Sequence, residues 1–259
     1  MRWQWSRTWP AVMAGVLIIV SGHSAPAGPP AATEPSSDAL DRDRALVGWW
    51  KLDETSGVVA TDSSPKGHRG SLDGGLTFAT HSAPGRRGKA LKLDGAESSL
   101  RIDGYKGVTG TAPRTVAAWV RTTTPAGEVV SWGSDEAGKM WTLGFIRGHL
   151  GVTPKGGYLY MRAGLHDGAW HHVAVVVREA APPNLHDDVK LYADGELAEI
   201  DDIGLLDLYP IETGSTQDVR IGRRFKGLLD DIRIYGRALT DDEIKTLAGN
   251  QGTRGKNDP

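Results

Sequence analysis

Short apolar runs, each stopped by glycine or proline, limit what this chain can fold into. Its 259 residues include 34 glycines and 14 prolines, and few stretches between them reach helical length. Leu46-Val47-Gly48-Trp49-Trp50-Lys51-Leu52 opens the series. Residues 89–93 and 100–102 alternate polar and apolar side chains, the two-residue period of a half-buried strand. Residues 115–120 and 170–177 are rich in β-branched and aromatic residues, which pack well on a pleated surface. Val189-Lys190-Leu191-Tyr192 meets Glu196-Leu197 across Asp194-Gly195, a pair suited to the two positive φ angles of a tight hairpin turn. Residues 219–221 and 228–235 complete the set. About a dozen short strands with turns between them predict an all-β domain of two packed antiparallel sheets. A single short helix is expected near the C-terminus. There Thr240 and Glu243 form a capping box, Ile244, Leu247 and Ala248 supply an apolar face, and Gly249 ends it.

The rest of the chain divides by composition. Arg2 and Arg7 precede an apolar run at 11–20 and the small-residue pattern Ala25-Pro26-Ala27, which reads as a secretory signal at 1–27. That run is shorter than the ~20 residues that span a bilayer, so no stable membrane insertion is expected after cleavage. Residues 28–43 read as a disordered linker, 44–249 as one domain and 250–259 as a disordered tail. A net charge of −2 gives no basis for nucleic-acid binding, and the absence of cysteine removes disulfides and thiol chemistry. The chain has no Asn-x-Ser/Thr sequon. With the signal, these features point to a bacterial protein that is secreted, periplasmic or in the cell envelope.

Phe225-Lys226-Gly227-Leu228-Leu229-Asp230-Asp231-Ile232-Arg233-Ile234-Tyr235-Gly236-Arg237-Ala238-Leu239-Thr240 resembles the closing signature of laminin-G-like domains. Trp49-Lys51-Leu52-Asp53-Glu54, Ala118-Trp119-Val120 and Trp170-His171-His172-Val173-Ala174 are similar to earlier family segments, in the same order. The resemblance spans roughly 45–249. It implies a concanavalin A-like, two-sheet antiparallel jelly-roll sandwich that binds carbohydrate or a protein surface, often with calcium. In that family, acids of the first loop and last strand lie close together. Asp62, Asp230 and a carbonyl near Gly67 are therefore the expected ligands of one structural calcium ion. Asp230 and Asp231, as strand neighbours, should face opposite ways.

The remaining candidates divide by geometry. His171 and His172 are adjacent on a strand, so they cannot share a metal, and one is expected to be buried near Trp170. Glu199-Ile200-Asp201-Asp202 resembles the catalytic strand of laminarinase-type glycosidases. It lacks the second carboxylate, with Ile203 and Gly204 where that group would fall. Asp187-Asp188 reads as a solvated loop. No Gly-x-Ser-x-Gly motif or phosphate-binding loop occurs. Trp132, Trp141, Arg147, Tyr158 and Tyr160 cluster in a glycine-rich stretch and are the candidate sugar platform, set against a core role for the same aromatics. Trp49, Trp50, Trp119 and Trp170 are assigned mainly to the core, with one of Trp49 and Trp50 on the other face. The expected function is a non-catalytic binding module for an extracellular glycan. A protein-interaction or adhesion module is the alternative, and a divergent glycosidase stands behind both.

Overall fold

Seventeen strands and four short helices make up the described part of the computed structural model, residues 35–202 and 209–249. In chain order they begin with α1 (Ser37–Asp41), β1 (Leu46–Trp50), β2 (Val59–Ala60), β3 (Gly70–Leu72), α2 (Phe78–His81), β4 (Ser82–Pro84), β5 (Lys89–Asp94) and β6 (Leu100–Ile102). Then come β7 (Arg114–Arg121), β8 (Glu128–Gly133), β9 (Met140–Ile146), β10 (His149–Thr153), β11 (Leu159–Met161) and β12 (His171–Val177). The last group is α3 (Leu185–Asp188), β13 (Val189–Ala193), β14 (Glu196–Leu197), β15 (Ile200–Asp202), β16 (Gln217–Ile221), β17 (Lys226–Tyr235) and α4 (Asp241–Gly249).

The strands form two antiparallel sheets. One has eight strands in the order β14-β13-β12-β7-β17-β5-β4, with β1 also on β17. The other has nine, in the order β15-β11-β10-β9-β8-β16-β6-β3-β2. The expected hairpin is present, with Asp194 at φ 52° and Gly195 at 87°. Arg147 (φ 51°) and Gly148 (88°) turn β9 into β10 the same way.

Alternation along each strand builds the core. Val116, Ala118 and Val120 of β7 and Val173, Val175 and Val177 of β12 point between the sheets, where they meet Trp132, Trp141 and Leu143 of the nine-stranded sheet. The outward residues of the same strands, Ala117, Ala174 and Val176, are buried as well. They join Leu40 of α1 and Ile244 and Leu247 of α4 in a second cluster outside the eight-stranded sheet. That sheet is therefore a middle layer, which explains why its sequence runs are apolar on both faces. Adjacent tryptophans divide between the layers: Trp50 enters the inner core and Trp49 the outer one.

Three sequence expectations change here. Residues 37–41, expected within a disordered linker, form α1, with Ser36 capping it and Leu40 buried. Asp188, expected in a solvated loop, is buried and paired with Arg178 at 2.7 Å. Asp230 and Asp231 do not alternate cleanly. The β17–β7 register shifts between Asp230 and Arg233, and Asp231 takes a φ of 51°. Asp230 Oδ2 accepts from the Arg87 amide at 2.8 Å, and Asp231 Oδ2 from its guanidinium at 2.8 Å, so both reach one residue. The bulge lies where β17 changes partner, from β5 at 226–229 to β1 at 232–235.

Candidate functional site

The outer face of the nine-stranded sheet carries the side chains not consumed by either core. Register places Ser71, Arg101, Arg220, Ser131, Thr142 and Thr153 directly across six successive strands. Apolar neighbours flank these residues and point inward, as in Leu100-Arg101-Ile102 and Val219-Arg220-Ile221. Among the described residues, no hydrophobic cluster covers this face as α1 and α4 cover the other sheet.

The polar groups on this face are held in fixed positions. Arg101 donates to Asp103 at 2.7 Å, Arg220 to Asp73 at 2.9 Å, and Arg223 to both oxygens of Glu128. Ser131 donates to Glu128 at 2.5 Å, and Lys106 pairs with Asp218 at 2.7 Å. Hydrogen bonds from Arg101 and Ser71 hold the Asp103 carboxyl below its ordinary range, and the bond to Glu128 raises Arg223. Glu97, Arg101, Gln217, Asp218, Arg220 and Arg223 line a cavity of about 530 Å³. Each arginine is anchored on one edge by an acid, so the guanidinium is oriented before any ligand arrives.

Beside the cavity, two glycines face each other across neighbouring strands. Glu128, Gly144, Gly151 and Tyr160 pair in succession across β8, β9, β10 and β11. A Cβ on Gly144 would meet the Gly127 carbonyl at 2.7 Å, and one on Gly151 would meet the Leu159 carbonyl at 2.2 Å. Both glycines are buried, and backbone fills the space a Cβ would take, so no side chain stands between Glu128 and Tyr160 over about 14 Å, three strand spacings. At the Tyr160 end stands a ladder of rings. His149 and Tyr158 each stack on Tyr160, at 5.0 and 5.6 Å between centroids, and Arg147 lies 4.9 Å over Tyr158.

The structure separates the expected aromatic platform into two groups. Arg147, Tyr158 and Tyr160 come together on the ladder, with Tyr160 itself buried. Trp132 and Trp141 do not belong to it. Both are fully buried in the inner core, 5.8 Å apart, because their strand positions point inward. Trp132 donates to the Val108 carbonyl at 3.0 Å, and Arg114 lies over Trp141. His149, Glu128, Arg101, Arg220 and Arg223 were missed as candidates. The apolar-Arg-apolar alternation of β6 and β16 could have found Arg101 and Arg220.

The expected calcium ligands are not gathered. Asp62 Oδ1 accepts from the Trp49 and Ser64 amides at 2.8 Å, and Oδ2 accepts from the Ser64 hydroxyl and the His68 amide at 2.8 and 2.7 Å. Four donors thus point where a cation would sit. The Gly67 carbonyl accepts from the Arg69 amide. Asp62 bridges to Trp50, which pairs with Ile232 on its other side, so β1 stands between Asp62 and the β17 strand that carries Asp230. Among the described residues, no three His, Cys, Asp or Glu side chains group to hold a metal. These residues do not fit a shared calcium ion.

The histidines part as their strand positions require. His171 lies at the rim between Asp167 and Asp194, whose hydrogen bonds outweigh partial burial and raise its pKa. His172 is buried against Trp119, edge to face at 5.2 Å, rather than against Trp170. Glu199 and Asp201 both pair with Arg162, at 2.5 and 3.5 Å, while Ile203 and Gly204 lie outside the described residues. The expected signal at 1–27 and tail at 250–259 also lie outside them. No described helix is long and apolar enough to cross a membrane.

Comparisons with known proteins agree with this geometry. The laminin-G-type model of the concanavalin A-like lectin/glucanases superfamily matches residues 94–245. Curated proteins give no match. Among solved structures, domain 4 of AbnA, a GH43 extracellular arabinanase from Geobacillus stearothermophilus in complex with arabinotriose, superposes with a TM-score of 0.57. The two are 22% identical, over 78% of this chain and 98% of that one. The binding domain of Paraclostridial Mosquitocidal Protein 1 gives 0.51 at 17% identity, over 80% and 52% of the two chains. The binding domain of botulinum neurotoxin serotype D/C gives 0.50 at 12% identity, over 81% and 53%. The present chain thus spans about half the length of the two toxin domains. The likeness to these structures shows a common fold. With a two-sheet jelly roll, and a family match across more than half its length, the chain belongs to the concanavalin A-like lectin/glucanases superfamily.

Proposed function

We propose that the protein is a secreted, non-catalytic carbohydrate-binding module that holds an extracellular glycan on the outer face of its nine-stranded sheet. The observation that carries this reading is the polar row from Ser71 to Thr153 across six strands. Sugar hydroxyls both donate and accept, and a lattice of anchored arginines, carboxylates and hydroxyls offers both roles in fixed positions. Because the arginines are paired with acids, a neutral glycan suits this face. The arabinotriose complex of the arabinanase domain, also extracellular, supports the same class of ligand and the same compartment. Glu199 and Asp201, tied to Arg162, are read as an exposed ion-pair group rather than as catalytic acids.

The test is a glycan array of residues 28–259, followed by calorimetry on any neutral hit. Arg220→Met and Tyr158→Ala should each weaken binding about tenfold, or ~1.4 kcal/mol, with the melting temperature preserved. A blank array from a folded sample, or unchanged affinity in both variants, sinks the reading. A second reading, a protein-interaction module, is favoured by Val58 and Val59 at the β2 edge, which are 43% and 47% exposed. Capture of one envelope protein, lost on Val59→Lys, would support it.

A further inference from the structure

A second, chemically different groove lies on the other sheet, on the part of its outer face that α1 and α4 leave open. Leu228 of β17 pairs with Lys92 of β5 on one side and Arg121 of β7 on the other. Directly opposed residues share a face, so the two cations flank Leu228 about 10 Å apart, two strand spacings. Lys226, two residues back along β17, falls on the same face. With Gly168 and Ala83 these residues line a cavity of about 560 Å³.

The charges distinguish this groove from the sugar face. Among the described residues, no carboxylate lies within ion-pair distance of Lys92, Arg121 or Lys226. Arg121 is instead oriented by donating Nε–H to the Gly168 carbonyl at 2.7 Å. Asp94 is the one acid lining the groove; it stands directly opposite Lys226 in the β17–β5 register, and its Oδ1 accepts from the Ala96 amide. Lys92 and Arg121 therefore flank the aliphatic floor with Leu228, not an acid, between them, while Lys226 shares its end of the groove with Asp94. An anion seated over Leu228 would be attracted by both flanking cations.

We infer that this groove takes the acidic residues of a glycan, carboxylate or sulfate groups resting on the cations while a pyranose face covers Leu228 and Gly168. The inference rests on the reading of the chain as a glycan-binding module, and it assigns acidic sugars to a surface separate from the neutral-sugar face. An apolar floor flanked by cations matches a ring with an apolar face and a charged edge.

The probe is a trigalacturonate, with a neutral galactose trisaccharide and anionic phosphatidylglycerol vesicles as parallel arms. Calorimetry at about 20 mM salt should show binding of the trigalacturonate that weakens several-fold at about 0.3 M, as screening requires. Lys92→Gln with Lys226→Gln, both exposed, should weaken it at least tenfold and leave any neutral-glycan affinity unchanged. Arg220→Met should have the reverse pattern. Equal trigalacturonate affinity in the double variant overturns the inference, as does no binding at low salt by the folded protein. Vesicle binding without trigalacturonate binding overturns it too. A blank with neutral glycans alone would remove the sugar-face reading and leave this one standing.

Discussion

Asp62 spends a whole carboxylate on closing one turn. Its four accepted hydrogen bonds tie the loop at 62–68 to Trp49 near the end of β1. Bonds to a charged acceptor contribute more than neutral ones, so Asp62→Ala should cost about 3 kcal/mol, seen as a lower urea midpoint. A chelator should leave the wild-type midpoint where it is, and a chelator-induced drop would restore calcium to this loop. Arg114 is a second residue of this kind. It is buried with no carboxylate and donates to the Ala112, Val108 and Gly110 carbonyls and the Thr213 hydroxyl, while burial lowers its pKa to about 10. Two buried groups on the outer side of the eight-stranded sheet make stability depend on pH with opposite signs. Burial, then the neighbouring Asp231 charge, raises Asp230 to about 7, and burial lowers His172 to about 4. The folded chain keeps a proton on Asp230 that the unfolded chain loses above about 4, so this contribution falls as pH rises toward 7. The unfolded chain carries a proton on His172 up to about 6.5 that the folded chain lacks, so that contribution rises from pH 4 to 6.5. Asp230→Asn leaves the histidine alone. Its urea midpoint should climb more steeply between pH 4.5 and 6.5 than the wild type's, and an unchanged slope would refute the assignment.

Elements extend these effects. The α1 segment acts as a strap across the C-terminal end of the domain. Leu40 fills the outer core, Asp41 pairs with the buried Arg233 at 2.5 Å, and Asp43 pairs with Arg237 at 2.6 Å. Thr246 of α4 donates to the Pro35 carbonyl at 3.2 Å. A chain beginning at residue 44, where composition alone places the domain boundary, would strip Arg233 of one partner. It should be about 3 kcal/mol less stable than a chain beginning at residue 35, because a buried cation that loses a partner is costly. Equal denaturation midpoints for the two chains would show the strap to be ornamental. β17 illustrates the same dependence from the other direction. Ten residues serve two partners on one edge, and the turn carrying Arg87 fills the gap between them, with Arg87 also donating to the Leu247 carbonyl of α4 at 2.9 Å. The final strand thereby joins the first strand, the β4–β5 turn and the last helix.

At the scale of the molecule, the two sheets have different tasks. The eight-stranded sheet is enclosed between the inner core and the α1–α4 layer over much of its surface, leaving the cationic groove at one end. The nine-stranded sheet turns its polar row outward. The binding predictions follow that division: variants on one sheet should alter neutral-glycan affinity, and variants on the other should alter affinity for acidic sugars.

Much of this architecture was legible locally. Alternation in Leu100-Arg101-Ile102, the Asp194-Gly195 turn and the Thr240–Glu243 capping box each encode their structure within a few residues. The bonds that close it, Thr240 to the Glu243 amide and Glu243 to the Thr240 amide, span one helical turn. The site was legible only in part. Arg147, Tyr158 and Tyr160 were visible as a cluster, but Trp132 and Trp141 could not be told from them by composition. Which aromatic faces a sugar and which a core depends on strand phase and on what lies across the sheet. The Asp230–Asp231 bulge was hidden because it arises from the exchange of β5 for β1 along β17, two segments remote from it in the chain. The sequence by itself thus determined nine of the seventeen described strands, the Asp194-Gly195 turn, the terminal helix and the superfamily resemblance, since these rest on periodicity, local backbone preference and local motifs. Tertiary structure alone decided that residues 37–41 belong to the domain, that Asp62 is spent on its own turn, and that arginines from separate strands share one face. Each of those outcomes depends on long-range register, and the partner that sets it lies far away in the chain.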